Sequence, residues 1–132
     1  MDNKDIRWKQ RFQNFESTLK HLEKALEIKD PDIIQRAGMI QFFEMSFELS
    51  WNMMKDYLSE QGFTEVKSPR DSIKKAFETD LISDGNGWLK MMEDRNLTSH
   101  AYDEETAKEI EKFIRLEHYS LLEKLYKTFR QK

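Results

Sequence analysis

Trp8, Phe12, Phe15, Leu19, Leu22 and Leu26 succeed one another at steps of four, three, four, three and four residues, the spacing that lines one face of an α-helix. This pattern predicts a first helix of about six turns with a continuous apolar seam. Asp30-Pro31 marks the next start, with Asp30 as the cap and Pro31 in the first turn. From there to about Leu58 runs a second long helix with two apolar rows: Phe43, Phe47, Trp51, Met54, Leu58, and Met39, Phe42, Met45, Leu49, Met53. Apolar on so much of its circumference, it is expected to be the most buried helix.

Gln61-Gly62 closes that helix, and Ser68-Pro69-Arg70-Asp71 opens a short third one, to about Thr79, with Ser68 as cap and Asp71 at the positive end of the dipole. Ser83 to Gly87 reads as a turn into a fourth helix carrying Trp88 through roughly Ser99. Asp103-Glu104-Glu105 opens the fifth, with Ala107, Ile110, Ile114, Leu121, Leu125 and Phe129 as its buried side. The expected architecture is all-α, an up-and-down bundle of four long helices plus one short one, in a single domain over residues 1–132.

Composition agrees: 36% of residues are charged and 12% aromatic, with only four glycines and two prolines, a mixture suited to helices. With no cysteine, disulfides, a thiolate nucleophile and Cys-type metal sites are excluded, and neither a metal site nor a cofactor is expected. Met1-Asp2-Asn3-Lys4-Asp5 lacks an apolar signal region, and no apolar run approaches the roughly 20 residues of a membrane span. The expectation is a cytoplasmic protein with no membrane partner. A net charge of −3 argues against a general nucleic-acid coat. The basic groups Lys67, Arg70, Lys74, Lys75 and Lys124, Lys127, Arg130, Lys132 read as solvated helix faces, and His21 and His118, among charged neighbours, as surface residues.

The segment with chemical potential is Arg95-Asn96-Leu97-Thr98-Ser99-His100-Ala101-Tyr102. Arg95 falls on the apolar face marked by Trp88, Met91 and Met92, where a guanidinium requires a partner or a ligand. Glu44 and Glu48, one turn apart on the second helix, are the candidates: one to pair with Arg95, the other solvated. On an unbroken helix Arg95 and His100 would stand about 140° apart. Either the helix ends near Ser99 and His100 turns back, or both side chains face a cleft, such as one on a two-fold axis where each subunit offers one arginine and one histidine.

A histidine can move the 2′-hydroxyl or leaving-group proton in RNA cleavage, an arginine can hold the phosphate, and Asn96 can add a hydrogen bond to it. The alternative is a histidine capping helix carbonyls beside an arginine paired internally, and the residues by themselves favour it. Gly85-Asn86-Gly87 is no phosphate loop, since no Lys-Ser/Thr follows. Nor does the chain carry the Gly-Ser and paired aspartates of a nucleotidyltransferase catalytic domain.

Arg95-x4-His100-x-Tyr102 resembles the R-x4-H-x-Y motif of the HEPN superfamily, in particular its HepT-like toxins and nucleotidyltransferase substrate-binding proteins. Phe42-Phe43-Glu44-Met45-Ser46-Phe47-Glu48-Leu49-Ser50-Trp51 is similar to the aromatic, acidic second helix of that group, and Trp88 precedes the arginine as in its pattern. The resemblance implies a dimerising bundle with two motifs around a shared groove, Arg95 and His100 as catalytic residues of a metal-independent ribonuclease toxin, and RNA or a nucleotide as ligand. It also implies a minimal nucleotidyltransferase partner that acts as antitoxin by transferring AMP to Tyr102. A second reading of the same residues is a non-catalytic substrate-binding subunit of a split nucleotidyltransferase. A third is a dimeric scaffold without chemistry.

Overall fold

The helices begin where short polar side chains take up backbone N–H groups that a first turn leaves without partners. The computed structural model describes residues 3–132; Met1 and Asp2, part of the segment read above for a signal region, lie outside them. The order is α1 (Asn3–Leu26), α2 (Ile33–Glu60), α3 (Pro69–Glu78), α4 (Gly85–Leu97), a 3-10 turn (Thr98–His100), α5 (Glu104–Phe113), a π turn (Ile114–His118) and α6 (Tyr119–Arg130). No strand occurs among the described residues, and α5, the π turn and α6 form one unbroken rod. The all-α bundle therefore holds.

Ser68 and Asp103 cap α3 and α5 as expected, each accepting the N–H three residues on, at 3.1 Å. The start of α2 differs. Asp32, not Asp30, is its cap: Asp32 accepts from the Gln35 N–H at 2.8 Å while the Gln35 side chain accepts from the Asp32 N–H at 2.9 Å, a reciprocal box that satisfies two donors at once. Pro31 stays ahead of the helix because its carbonyl accepts from Arg36 Nη2 at 3.0 Å.

At the other end of α2, Gly62 takes a φ of +102° and Phe63 N–H returns to the Leu58 carbonyl at 3.0 Å. Since nothing lies within 4 Å of a Cβ added at Gly62, the cost of Gly62→Ala is conformational alone. We expect about 1 kcal/mol, read as a lower urea midpoint at unchanged m-value.

α2 is the centre of the bundle and pairs with α1 along most of its length. Met39, Phe43, Phe47, Met53 and Met54 are fully buried against Phe15 and Leu22 of α1, Trp88 and Met91 of α4, and Ile114 and Leu122 of the last rod. Met45, placed in a buried row by the pattern, is instead exposed. The exposed residues of α2 are Ile33, Ile34, Gln35, Ala37, Gln41 and Met45, and none is charged.

The π turn corrects two further expectations. One extra residue in a helical turn rotates everything beyond it. Leu122 is fully buried while Leu121 is only half-buried, and His118 is completely buried rather than at the surface. His118 continues the stripe, four residues after Ile114 and four before Leu122.

A second polar group ties the bundle together. Glu111 accepts from Arg36 Nε at 2.8 Å and from Arg115 Nε at 2.9 Å. Arg115 also donates to the carbonyls of Leu26 at 2.8 Å and Ile28 at 2.6 Å, so one carboxylate locks the α1–α2 connection onto α5. Among the described residues no helix is long and apolar enough to cross a membrane.

Candidate functional site

Trp88, Met91 and Met92, all buried, set α4 against the core, and one turn further on the chain presents Arg95 half-buried. Its Nε lies 3.0 Å from Oε1 of Glu48, but without the alignment of a hydrogen bond, so that Nε–H is left without a hydrogen-bond partner. Of the two candidate glutamates, Glu48 is thus the ion-pair partner. Its other oxygen accepts from Trp51 Nε1 at 2.9 Å, which holds the carboxylate in place along α2.

α4 ends at Leu97, and the 3-10 turn carries the chain through Thr98, Ser99 and His100. Thr98 Oγ1 donates to the Arg95 carbonyl at 2.7 Å and Ser99 Oγ to that of Asn96 at 3.1 Å, satisfying acceptors that the helix end exposes. The predicted motif residues therefore share one short segment but divide between two environments. Arg95 turns to α2, whereas Asn96 and His100 are exposed and the His100 ring stands edge-on to Tyr102, centroids 6.1 Å apart. No hydrogen bond, ion pair or ring contact joins Arg95 to His100 within the chain. Tyr102 is 86% exposed, more than any other large apolar or aromatic side chain of the described residues.

Half-buried Glu44 is the wall between two depressions. One, of about 570 Å³, is bordered by Asn14, Ser17, Gln41, Glu48 and Arg95. The other, of about 370 Å³, is bordered by Ile33, Arg36, Ile40, Ala101 and Tyr102. Together they make a continuous face across α2 and the α4–α5 connection, with the cation at one side and the tyrosine at the other. Among the described residues no group of three or more His, Cys, Asp or Glu side chains is arranged to hold a metal ion.

Beneath this face lies a pair that sequence reading missed. His118 Nε2 is 2.6 Å from Asp94 Oδ2, and Lys90 Nζ donates to Asp94 Oδ1 at 3.0 Å. Burial pushes the Asp94 carboxyl up, but the hydrogen bonds from His118 and Lys90, with the charge they bring, outweigh it and hold the group below its ordinary value. His118 thus turns Nε2 to the carboxylate, and its Nδ1 has no hydrogen-bond partner. The imidazole stacks on Phe43 and Phe113 at centroid separations of 5.4 and 6.3 Å. The available signal was the place of His118 on the apolar stripe.

The sequence profile of the nucleotidyltransferase substrate binding protein like family matches residues 10–131. The chain belongs to this family. A relative named "Probable ribonuclease HepT", from Haemophilus influenzae, is 37% identical over 84 residues, 58% of this chain and 58% of that one; the chain thus matches under two thirds of that relative's length. A solved protein from Thermus thermophilus is 32% identical with a TM-score of 0.76, covering 85% of this chain and 94% of that one.

A Haemophilus influenzae structure described as the fold of a substrate binding domain of a nucleotidyltransferase is 28% identical with a TM-score of 0.70, covering 97% and 99%. A tri-AMPylated Shewanella oneidensis HEPN toxin, solved in complex with MNT antitoxin, aligns over 100% of both chains with a TM-score of 0.79 at 15% identity, a likeness of fold. The family match agrees with the expected likeness to nucleotidyltransferase substrate-binding proteins, and the Haemophilus relative with that to HepT-like proteins.

Proposed function

We propose that this chain is the toxin of a two-component toxin–antitoxin system: a homodimeric, metal-independent endoribonuclease that a minimal nucleotidyltransferase neutralises by transferring AMP from ATP to the Tyr102 hydroxyl, which loses its proton as pyrophosphate leaves. The observation that supports the reading is that Arg95 and Tyr102 border adjoining depressions separated by Glu44, with His100 exposed on the turn between them, in a chain related to a protein named as a ribonuclease.

In this reading Arg95 holds the scissile phosphate and stabilises charge developing on it, exchanging its contact with Glu48 for one with the phosphate oxygens. His100 removes the proton from the 2′-hydroxyl as that oxygen attacks phosphorus. The bond to the 5′-oxygen breaks, and the His100 of the second copy returns a proton to that leaving group. The products are a 2′,3′-cyclic phosphate and a free 5′-hydroxyl. Asn96 adds a hydrogen bond to the phosphate, while Glu48 sets the rest position of Arg95 and Glu44 shapes the groove. AMP on Tyr102, two residues from His100, places a bulky anion in the same groove and competes with RNA for Arg95.

The second copy is supported by α2. In a chain with 36% charged residues, an exposed helix face of Ile33, Ile34, Ala37, Gln41 and Met45 is the composition of an interface. Gly38 lies among these residues, with open space where a Cβ would stand. We expect Gly38→Arg to keep its helicity and convert a dimer to a monomer in sedimentation, since an arginine there separates the two faces.

The family description favours one other reading, a non-catalytic subunit that presents substrate to a separate nucleotidyltransferase. Partner-free protein incubated with a mixed RNA pool in EDTA separates the two. Cleavage leaving cyclic-phosphate ends, absent from His100→Ala and Arg95→Ala proteins of unchanged circular dichroism, is the expected result. Intact RNA, with Tyr102 found unmodified by mass spectrometry, transfers the assignment to the substrate-binding subunit.

A further inference from the structure

Three elements of the bundle meet at one buried imidazole. His118, on the π turn, hydrogen-bonds Asp94 of α4 at 2.6 Å and stacks on Phe43 of α2. Each of those neighbours stands next in sequence to a residue of the surface face: Asp94 precedes Arg95, and Phe43 precedes Glu44. The buried cluster is therefore the floor on which the candidate site rests.

A polar pair is a costly floor. Buried hydrogen-bonded pairs seldom stabilise a fold more than apolar side chains of like volume, and His118 adds the cost of a buried Nδ1 that finds no partner. What such a pair supplies is direction. Trp88, Met91 and Met92 hold α4 by apolar contact, which is less directional than a 2.6 Å hydrogen bond between Asp94 and His118. Lys90 fastens the same carboxylate from one turn earlier, with its ammonium 4.4 Å from the centre of the Phe113 ring. His118 is the last residue of the π turn, and such turns are rare in helices and concentrate at functional sites.

We propose that Asp94 and His118 are a positioning pair that fixes the roll of α4 and so aims Arg95 at the groove beside Glu48. The pair touches neither RNA nor any reacting atom. Its functional consequence rests on the ribonuclease reading of Arg95, but its effect on Arg95 does not.

The test is the double variant Asp94→Leu/His118→Phe, which replaces the pair by apolar groups that can stack between Phe43 and Phe113. It is expected to melt cooperatively near the wild-type temperature while the Arg95 side chain loses order, seen as a fall in the heteronuclear NOE of its Nε–H. On RNA, kcat is expected to fall by about 100-fold, the scale of a misplacement of about 1 Å, with KM little changed. An unchanged Arg95 NOE in the folded double variant overturns the proposal, as does unchanged kcat where the wild type cleaves RNA. If the wild type cleaves nothing, the ribonuclease reading falls while the NOE still decides the role of the pair. His118→Gln is the companion variant, because its amide can donate to Asp94 from near the place of Nε2. Retained order of Arg95 supports the proposal, and its loss in a folded His118→Gln protein overturns it even if the double variant fails to fold.

Discussion

Replacing His100 by alanine is expected to lower RNA cleavage by about 10²–10⁴-fold, the contribution of a positioned general acid or base. Stability is expected to stay within about 0.5 kcal/mol, as for other exposed positions, because His100 is open to solvent and its ring contact is with Tyr102, itself exposed. That separation of activity from stability is what distinguishes a chemical histidine from a capping one. A capping histidine would lower the melting temperature and leave the rate alone. The check is a time course of cleavage in EDTA beside a thermal melt of the same preparation, and wild-type cleavage by His100→Ala would remove this residue from the mechanism.

The largest structural effect is expected at Glu111. Alanine there leaves the Arg36 and Arg115 guanidinium groups facing each other without the carboxylate between them, in a place where the side chains of Arg36 and Glu111 are 9% and 13% exposed. Removing one partner of a buried ion pair costs about 3–5 kcal/mol. The residual exposure, 28% for Arg115, places this case at about 3 kcal/mol, or roughly 10 °C in melting temperature. Glu111→Gln is expected to cost less, since its amide oxygen still accepts from one arginine.

Glu111 also predicts a pH dependence. Burial raises its carboxyl, and the hydrogen bonds from Arg36 and Arg115 more than reverse this, holding it below its ordinary value of 4.5. A carboxylate lowered in the folded state contributes stability that is complete above the unfolded value and lost as pH falls through the folded one. Melting temperature should therefore fall from about pH 4.5 downward more steeply in the wild type than in Glu111→Gln. Parallel curves would show that Glu111 is not the group responsible.

The helices and most of their ends were legible because local rules set them. The four-and-three spacing from Trp8 to Leu26, the caps at Ser68 and Asp103 and the glycine stop at Gly62 each depend on a few neighbouring residues. The cap of α2 was misplaced by two residues because the deciding group, the Arg36 guanidinium on the Pro31 carbonyl, is held by Glu111 from another helix. Met45 was assigned to the core because periodicity marks apolar positions and cannot tell a face turned to the bundle from one turned outward.

Sequence alone determined the all-α bundle, the segment that carries the motif and the need for an acidic partner to Arg95, because each follows from residue type and spacing along one helix. Which glutamate pairs with Arg95 was decided by the packing of α4 on α2, since Glu44 and Glu48 lie one turn apart on the same helix and it is Glu48 that stands 3.0 Å from the guanidinium. The apolar stripe through Ile114 and Leu122 marks His118 as inward-facing, but tertiary structure alone joined it to Asp94 across 24 residues of chain. The physical reason is the same in both cases: hydrogen-bond and ion-pair partners are chosen by distances of a few tenths of an ångström between helices, and these are settled only when the whole core packs.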